Sequence, residues 1–253
     1  MHSLFKNRFH AGNMLAGRLA AYAGNPDVLV LALPRGGVPP AYQVARALGA
    51  PLDILMVRKL GLPAQPEYAL GAVAGDGQCL LRMEKIRSSA TQMSTIQALI
   101  DRERAEIARR ERLYRAARPA LPLENRIIIL VDDGVATGAS MCMAVRAVRR
   151  MQPAKIIVAV PVASRASRKA LSRIADETIC LHAPFPFRSV GEWYEDFQQV
   201  GEDVVIHLLE KRRTQVRLAS AHIAPHPETS NPERTADYPV VHKRLTSRRD
   251  TAA

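Results

Sequence analysis

Ile127-Ile128-Ile129-Leu130-Val131-Asp132-Asp133-Gly134-Val135-Ala136-Thr137-Gly138-Ala139-Ser140 carries an apolar run straight into an acidic pair and a run of small residues. A β-branched run of this kind fits a buried parallel strand, and open α/β sheets place their ligands beyond the carboxyl ends of such strands. Here the strand end delivers two carboxylates, Asp132 and Asp133. The small residues that follow, from Ala136 to Ser140, let backbone N–H groups close around an anion at the start of a helix over 141–151. Each charge-assisted bond of that type is worth about 1.5–3 kcal/mol, so four or five hold a phosphate monoester without a lysine. An acidic pair beside that phosphate must face hydroxyls or a cation, which points to a sugar phosphate with Mg2+ nearby. The alternative is an acidic pair that simply caps the helix.

Two further strand candidates end in loops of matching chemistry. Leu29–Leu33 runs into Pro34-Arg35-Gly36-Gly37-Val38-Pro39-Pro40. Glycine permits close backbone approach and arginine forks onto phosphate oxygens, a combination suited to pyrophosphate, although a Pro-Gly turn reads the same way. Leu52–Val57 runs into Arg58-Lys59-Leu60-Gly61-Leu62-Pro63, two cations at a strand end.

These motifs together resemble the type I phosphoribosyltransferases, and the Asp-Asp-x-x-Ala-Thr-Gly spacing is closest to the adenine-specific members. The resemblance covers roughly 25–209. It implies that Asp132 and Asp133 engage the ribose hydroxyls of 5-phosphoribosyl diphosphate (PRPP) and its metal-bound water, with Mg2+ as cofactor. It gives the 5-phosphate to Ala136, Thr137, Gly138, Ala139 and Ser140, and pyrophosphate to Arg35, Gly36, Gly37, Arg58 and Lys59. A mobile loop starting at 63–68 would close over the sugar, making Glu67 a candidate acid/base beside the reading of a solvated loop carboxylate. Members acting on 6-oxopurines carry aspartate where this chain has Ala136, so any proton must go elsewhere. The implied reaction is transfer of the phosphoribosyl group to a nitrogen acceptor, a nucleobase above all, with release of pyrophosphate. Competing readings are a PRPP-sensing regulator on the same fold and a phosphohydrolase.

Composition sets the outer limits. The chain has 253 residues, 47% of them hydrophobic, enough for one substantial α/β domain with appendages. Cys79, Cys142 and Cys180 form no Cys-x-x-Cys pair, so neither a disulfide framework nor structural zinc is expected. The seven histidines show no metal-ligand spacing, and no apolar run reaches membrane-spanning length. With no secretory core in 1–19, the expected location is the cytoplasm.

The net charge of +12 is concentrated in two segments. Residues 82–118 hold ten basic and five acidic side chains, and 211–253 hold nine and four, leaving the core nearly neutral. In the first segment Met93, Ile96, Ile100, Ile107 and Tyr114 form a narrow apolar stripe, which predicts an inserted helix pair packed on the core or on a second subunit of a homodimer. The second segment, 212–253, reads as a disordered basic tail with a minor capacity for RNA or DNA.

Strands are expected near 28–33, 52–57, 71–74, 78–82, 127–131, 156–161 and 177–181, alternating with helices in a mostly parallel sheet covered on both faces. The phosphoribosyltransferase domain is placed at 1–211, with the insertion at 82–118 and a hood-like segment at 182–200. Scarce aromatics gather in the hood. Phe187, Trp193 and Tyr194 are candidates for a wall against a heteroaromatic acceptor, and the alternative has Trp193 and Phe197, four apart, pinning a C-terminal helix.

Overall fold

The computed structural model describes residues 3–62, 65–75, 79–81, 83–89 and 91–223. Five strands form a parallel sheet, β1 (Val28–Ala32), β2 (Leu52–Ile54), β6 (Ile127–Val131), β7 (Lys155–Val162) and β8 (Glu177–His182), in the order β2-β1-β6-β7-β8. The β-branched runs alternate between two cores, as a pleated strand requires. Val30, Ala32, Ile129, Val131 and Ile157 face one cluster, shared with α1 (Arg8–Arg18), α2 (Val38–Leu48) and α7 (Glu202–Ile223). Leu29, Leu31, Ile128, Leu130 and Val158 face the other, under α5 (Ala139–Arg150) and α6 (Arg165–Leu171). Burial on both faces is what the continuous apolar sequences predict.

The expected strand at 52–57 is divided between two sheets. After β2 the chain turns at Leu55 and Met56, and β3 (Val57–Leu62) starts a separate antiparallel sheet with β4 (Gln65–Ala74) and β5 (Cys79–Leu81). The short strands expected at 71–74 and 78–82 are thus parts of a flap whose long hairpin takes up 57–74. Glu67 lies on β4; Pro63 and Ala64, where the mobile loop was expected to begin, lie outside the described residues.

The insertion is a helix pair, α3 (Met83–Ser88) and α4 (Met93–Tyr114). Its stripe packs on the core, with Ile96, Ile100, Ile107 and Tyr114 at most 5% exposed, while Met93 at the end stays open. Arg115 fixes the far end of α4. Its Nε lies 2.9 Å from Oδ1 of buried Asp53, and its guanidinium also donates to the Ile54 carbonyl.

Helix α7 corrects the expected start of a disordered tail at 212, because it continues to Ile223. Val205, Leu208, Leu209 and Arg212 share one helical face, and Arg212 is 6% exposed with its Nε donating to the Ala50 carbonyl. The rest of that expected tail, 224–253, lies outside the described residues.

Candidate active site

In the parallel sheet β1 has β2 on one side and β6 on the other, so the chain winds in opposite directions from this point. Such a switch point opens a crevice at the strands' carboxyl ends. Ala32 is level with Val131, and the Leu33 amide donates to the Val131 carbonyl at 3.0 Å. The loop after β1 and the loop after β6 therefore leave the sheet side by side.

Contact between them is close enough to demand glycine. A Cβ on Gly36 would stand 2.1 Å from Oδ2 of Asp133, and one on Gly37 would stand 2.7 Å from the Val131 carbonyl and 2.9 Å from the Asp132 Cα. The peptide bond Pro34–Arg35 is cis. The residues expected for pyrophosphate at 35–37 and the acidic pair thus share one crevice.

Asp132 accepts a hydrogen bond from the Asp133 amide at 2.9 Å, which keeps the two carboxylates close. Burial pushes the Asp132 carboxyl well above the usual carboxylate range, and repulsion from Asp133 adds to it. Burial also raises Asp133, against the pull of the Arg8 guanidinium. Arg8 Nε sits 2.7 Å from Asp133 Oδ2, its second arm donates to the Gln198 carbonyl at 2.7 Å, and its guanidinium carbon lies 3.8 Å from the Phe197 ring centre. The Tyr194 hydroxyl donates to the Asp133 carbonyl at 2.5 Å. An acidic pair with one cation of its own retains capacity for hydroxyl donors or a further cation.

The loop from Ala136 to Ser140 is braced from behind. Strand β7 receives it through the bond from the Val135 amide to the Val162 carbonyl, answered by Ser164 N to the Val135 carbonyl. The hydroxyls of Ser164 and Ser167 both donate to the Ala136 carbonyl, at 2.8 and 2.7 Å. Gly138 adopts φ +76°, a left-handed conformation that glycine alone takes at no steric cost, and α5 starts directly after it. Among the described residues no side chain caps α5, so the acidic pair is not the helix cap and the first amides of the helix are left without a side-chain partner.

The two cations expected together on β3 part company. Alternation along the strand turns Arg58 toward α4, where it pairs with Glu103, and leaves Lys59 exposed. Burial works to raise Glu103, but Arg58 and Arg102 outweigh it and hold the carboxyl below its ordinary range. Arg58 is therefore engaged by the insertion.

Trp193 and Tyr194 are 7% and 6% exposed. Phe187 stacks on Trp193 at 6.1 Å, while Phe5 and Phe197 cover Tyr194 at 5.1 and 5.0 Å. Their ring faces are occupied by protein, so these two back the hood from within and do not form an open wall. The pinning alternative also changes form: no helix spans 193–197, and what is pinned is the N-terminal segment. The amides of Leu4 and Phe5 both donate to the Trp193 carbonyl, and Glu195 N returns to the Phe5 carbonyl.

Sequence reasoning missed Arg8, Ser164 and Ser167. The serines carried a signal, because Ser164 accepts from the Ser167 amide and caps α6 in the Ser-x-x-Ser spacing of a helix start. Arg8 carried none, since its partner lies 125 positions away.

Comparison with known proteins agrees with this fold. A crystal structure of TT1426 from Thermus thermophilus is 42% identical, matches with a TM-score of 0.71, and covers 82% of this chain and 98% of its own. A Mycobacterium tuberculosis H37Rv protein provisionally named phosphoribosyl transferase Rv0571c is 41% identical over 208 residues, 82% of this chain. That stretch is 47% of the mycobacterial protein, so the chain spans about half the length of the curated relative. Residues 4–196 match the family model described as the phosphoribosyl transferase domain, a span that includes the N-terminal segment from Leu4, both crevice loops and most of the hood-like segment. This chain belongs to the phosphoribosyl transferase domain family.

Proposed function

We propose that the chain catalyses Mg2+-dependent transfer of the 5-phosphoribosyl group from PRPP to a nitrogen acceptor of nucleobase type, releasing pyrophosphate. The observation that carries this reading is the junction of the two loops, where Gly36 has no room for a side chain against Asp133. A ligand spanning it has its diphosphate at Arg35, Gly36 and Gly37, its ribose hydroxyls at Asp132 and Asp133, and its 5-phosphate on the amides and hydroxyls of Ala136–Ser140. Lys59, exposed on the flap, is the cation that can swing to the diphosphate; Arg58 shapes the flap through Glu103.

The acidic pair suits a hard divalent cation. Magnesium is commonly held by one or two carboxylates together with substrate oxygens, and two adjacent carboxylates, one of them paired with Arg8, supply that share. When bound, Mg2+ would neutralise charge on the departing diphosphate. Within the chain itself, Arg8 offsets Asp133, while Asp132, whose carboxyl burial pushes up, regains its charge against the cation-like sugar that forms as the bond to diphosphate lengthens. Loop closure by the flap excludes water from that sugar, with Glu67 of β4 as the candidate proton acceptor. The acceptor lies beside Phe187, with Trp193 and Tyr194 supporting the hood behind it.

The test is pyrophosphate release from PRPP and Mg2+ against a panel of purine and pyrimidine bases. Release that requires a base supports transfer, and Asp132→Asn with Asp133→Asn is expected to abolish it with the fold intact. Release without any base would indicate hydrolysis, and binding without release a sensor. Among the described residues no helix is long and apolar enough to cross a membrane; the cytoplasm is the proposed site of action. Exposed Met83 and Met93 on the insertion are the proposed contact of a homodimer.

A further inference from the structure

At the outer side of β2, away from the crevice, a cavity of about 390 Å3 opens between the α4–β6 connection and α7. Arg126, on its rim, immediately precedes β6 and so stands at the end of that strand opposite Asp132. Its floor is electrically closed. Both carboxylate oxygens of buried Asp53 are engaged, by Arg115 Nε and the Ile54 amide on one side and by the Leu121 amide on the other.

The rim is not closed. Arg118, Arg126, Arg213 and Arg217 line it, and Glu210 is shared by two of them, 3.0 Å from Arg118 and 2.5 Å from Arg213. Arg126 donates to the backbone carbonyls of Pro26, Asp27 and Val28 at 3.1–3.4 Å, contacts that leave its charge uncompensated. Arg217 has no ion pair among the described residues. Beyond the Arg115–Asp53 pair of the floor, the four rim guanidinium groups share a single partner carboxylate among the described residues, so they repel one another and concentrate positive potential there. Between them the walls are apolar, formed by Pro119, Leu121 and Val216.

We propose that this cavity is a second anion site, for a phosphorylated heterocycle of nucleoside phosphate size, separate from the crevice. Guanidinium forks match phosphate oxygens, and the apolar walls match the flat body of a base, which inorganic phosphate could not use. The proposal does not rest on the transferase reading.

The experiment is calorimetric titration of the full-length Asp132→Asn, Asp133→Asn protein with adenosine and guanosine monophosphates and diphosphates, the parent nucleosides and inorganic phosphate. Saturable binding of a nucleoside phosphate is expected, at least tenfold tighter than either the nucleoside or phosphate. Adding Arg217→Gln should weaken it at least about fivefold, and Arg126→Gln with Arg217→Gln more, with thermal midpoints confirming that each variant is folded. Arg217→Lys keeps the charge without the fork and should fall in between. Equal binding of inorganic phosphate, binding indifferent to both arginine substitutions, or no binding at millimolar nucleoside phosphate would each overturn the proposal. None of these results bears on pyrophosphate release by the unmodified crevice.

Discussion

Replacing Arg8 with methionine keeps most of the volume and removes the charge. Its partner Asp133 then stays behind with a side chain 13% exposed, and Arg8 itself is 11% exposed. Removing one member of a pair this deep leaves an uncompensated charge, a loss of about 3–5 kcal/mol. The contact with Phe197 would contribute about 1 kcal/mol on its own, but it belongs to the same local unit and is not added. The expected loss of unfolding free energy for R8M is therefore about 4 kcal/mol at pH 7.5, read from urea transitions. Adding Asp133→Asn should recover more than half of it, because the stranded charge disappears. The sign of the pH effect follows from burial, which raises the folded-state carboxyl of Asp133 above its unfolded value. A raised acid destabilises the fold above its unfolded pKa, and the penalty is relieved as pH falls through the folded value. Without Arg8 that folded value rises further, so the deficit of R8M should shrink on going from pH 7.5 to pH 5. A loss below about 1 kcal/mol, or a deficit that grows on acidification, would refute this account.

Gly36→Ala would push a Cβ to 2.1 Å from the Asp133 oxygen that pairs with Arg8, and the resulting displacement of about 1 Å should lower turnover on the order of a hundredfold and lower the thermal midpoint as that pair is strained. Ser164→Ala and Ser167→Ala each remove one bond to the Ala136 carbonyl, about 1 kcal/mol, and should raise the KM for PRPP about fivefold with kcat nearly unchanged. Arg115→Met strands buried Asp53 and should destabilise the protein by about 3–5 kcal/mol in urea melts, with any surviving folded fraction keeping its KM.

The elements around the crevice were legible because their signals are local. Ile127–Val131 and Lys155–Val162 are apolar on both faces, and the small residues after Asp133 can hardly be read except as a turn into a helix. What could not be read depended on partners distant in sequence. The run Leu52–Val57 is apolar apart from Asp53, so periodicity gives no sign that the chain leaves one sheet at Ile54 and enters another at Val57. Lys211-Arg212-Arg213 looked like the start of a basic tail because charge masked the helical spacing of Val205, Leu208 and Leu209. Arg8 carries no local signal; its use as the counter-charge of Asp133 is a tertiary fact.

The stitching of Leu4 and Phe5 to Trp193 has a consequence for biosynthesis. Residues 4 and 5 are made long before their partners at 193–195, near the end of the family-matched span, and must wait for them before they find their place. Until residues 193–198 emerge, a nascent chain already holding β1, β6 and β7 lacks the backbone that seats Arg8, and its acidic pair has no counter-ion from the protein. Neutralisation of Asp133 by Arg8 is thereby deferred until residues 193–198 are made, and a polypeptide released before them carries the signature loop in an electrostatically unfinished state.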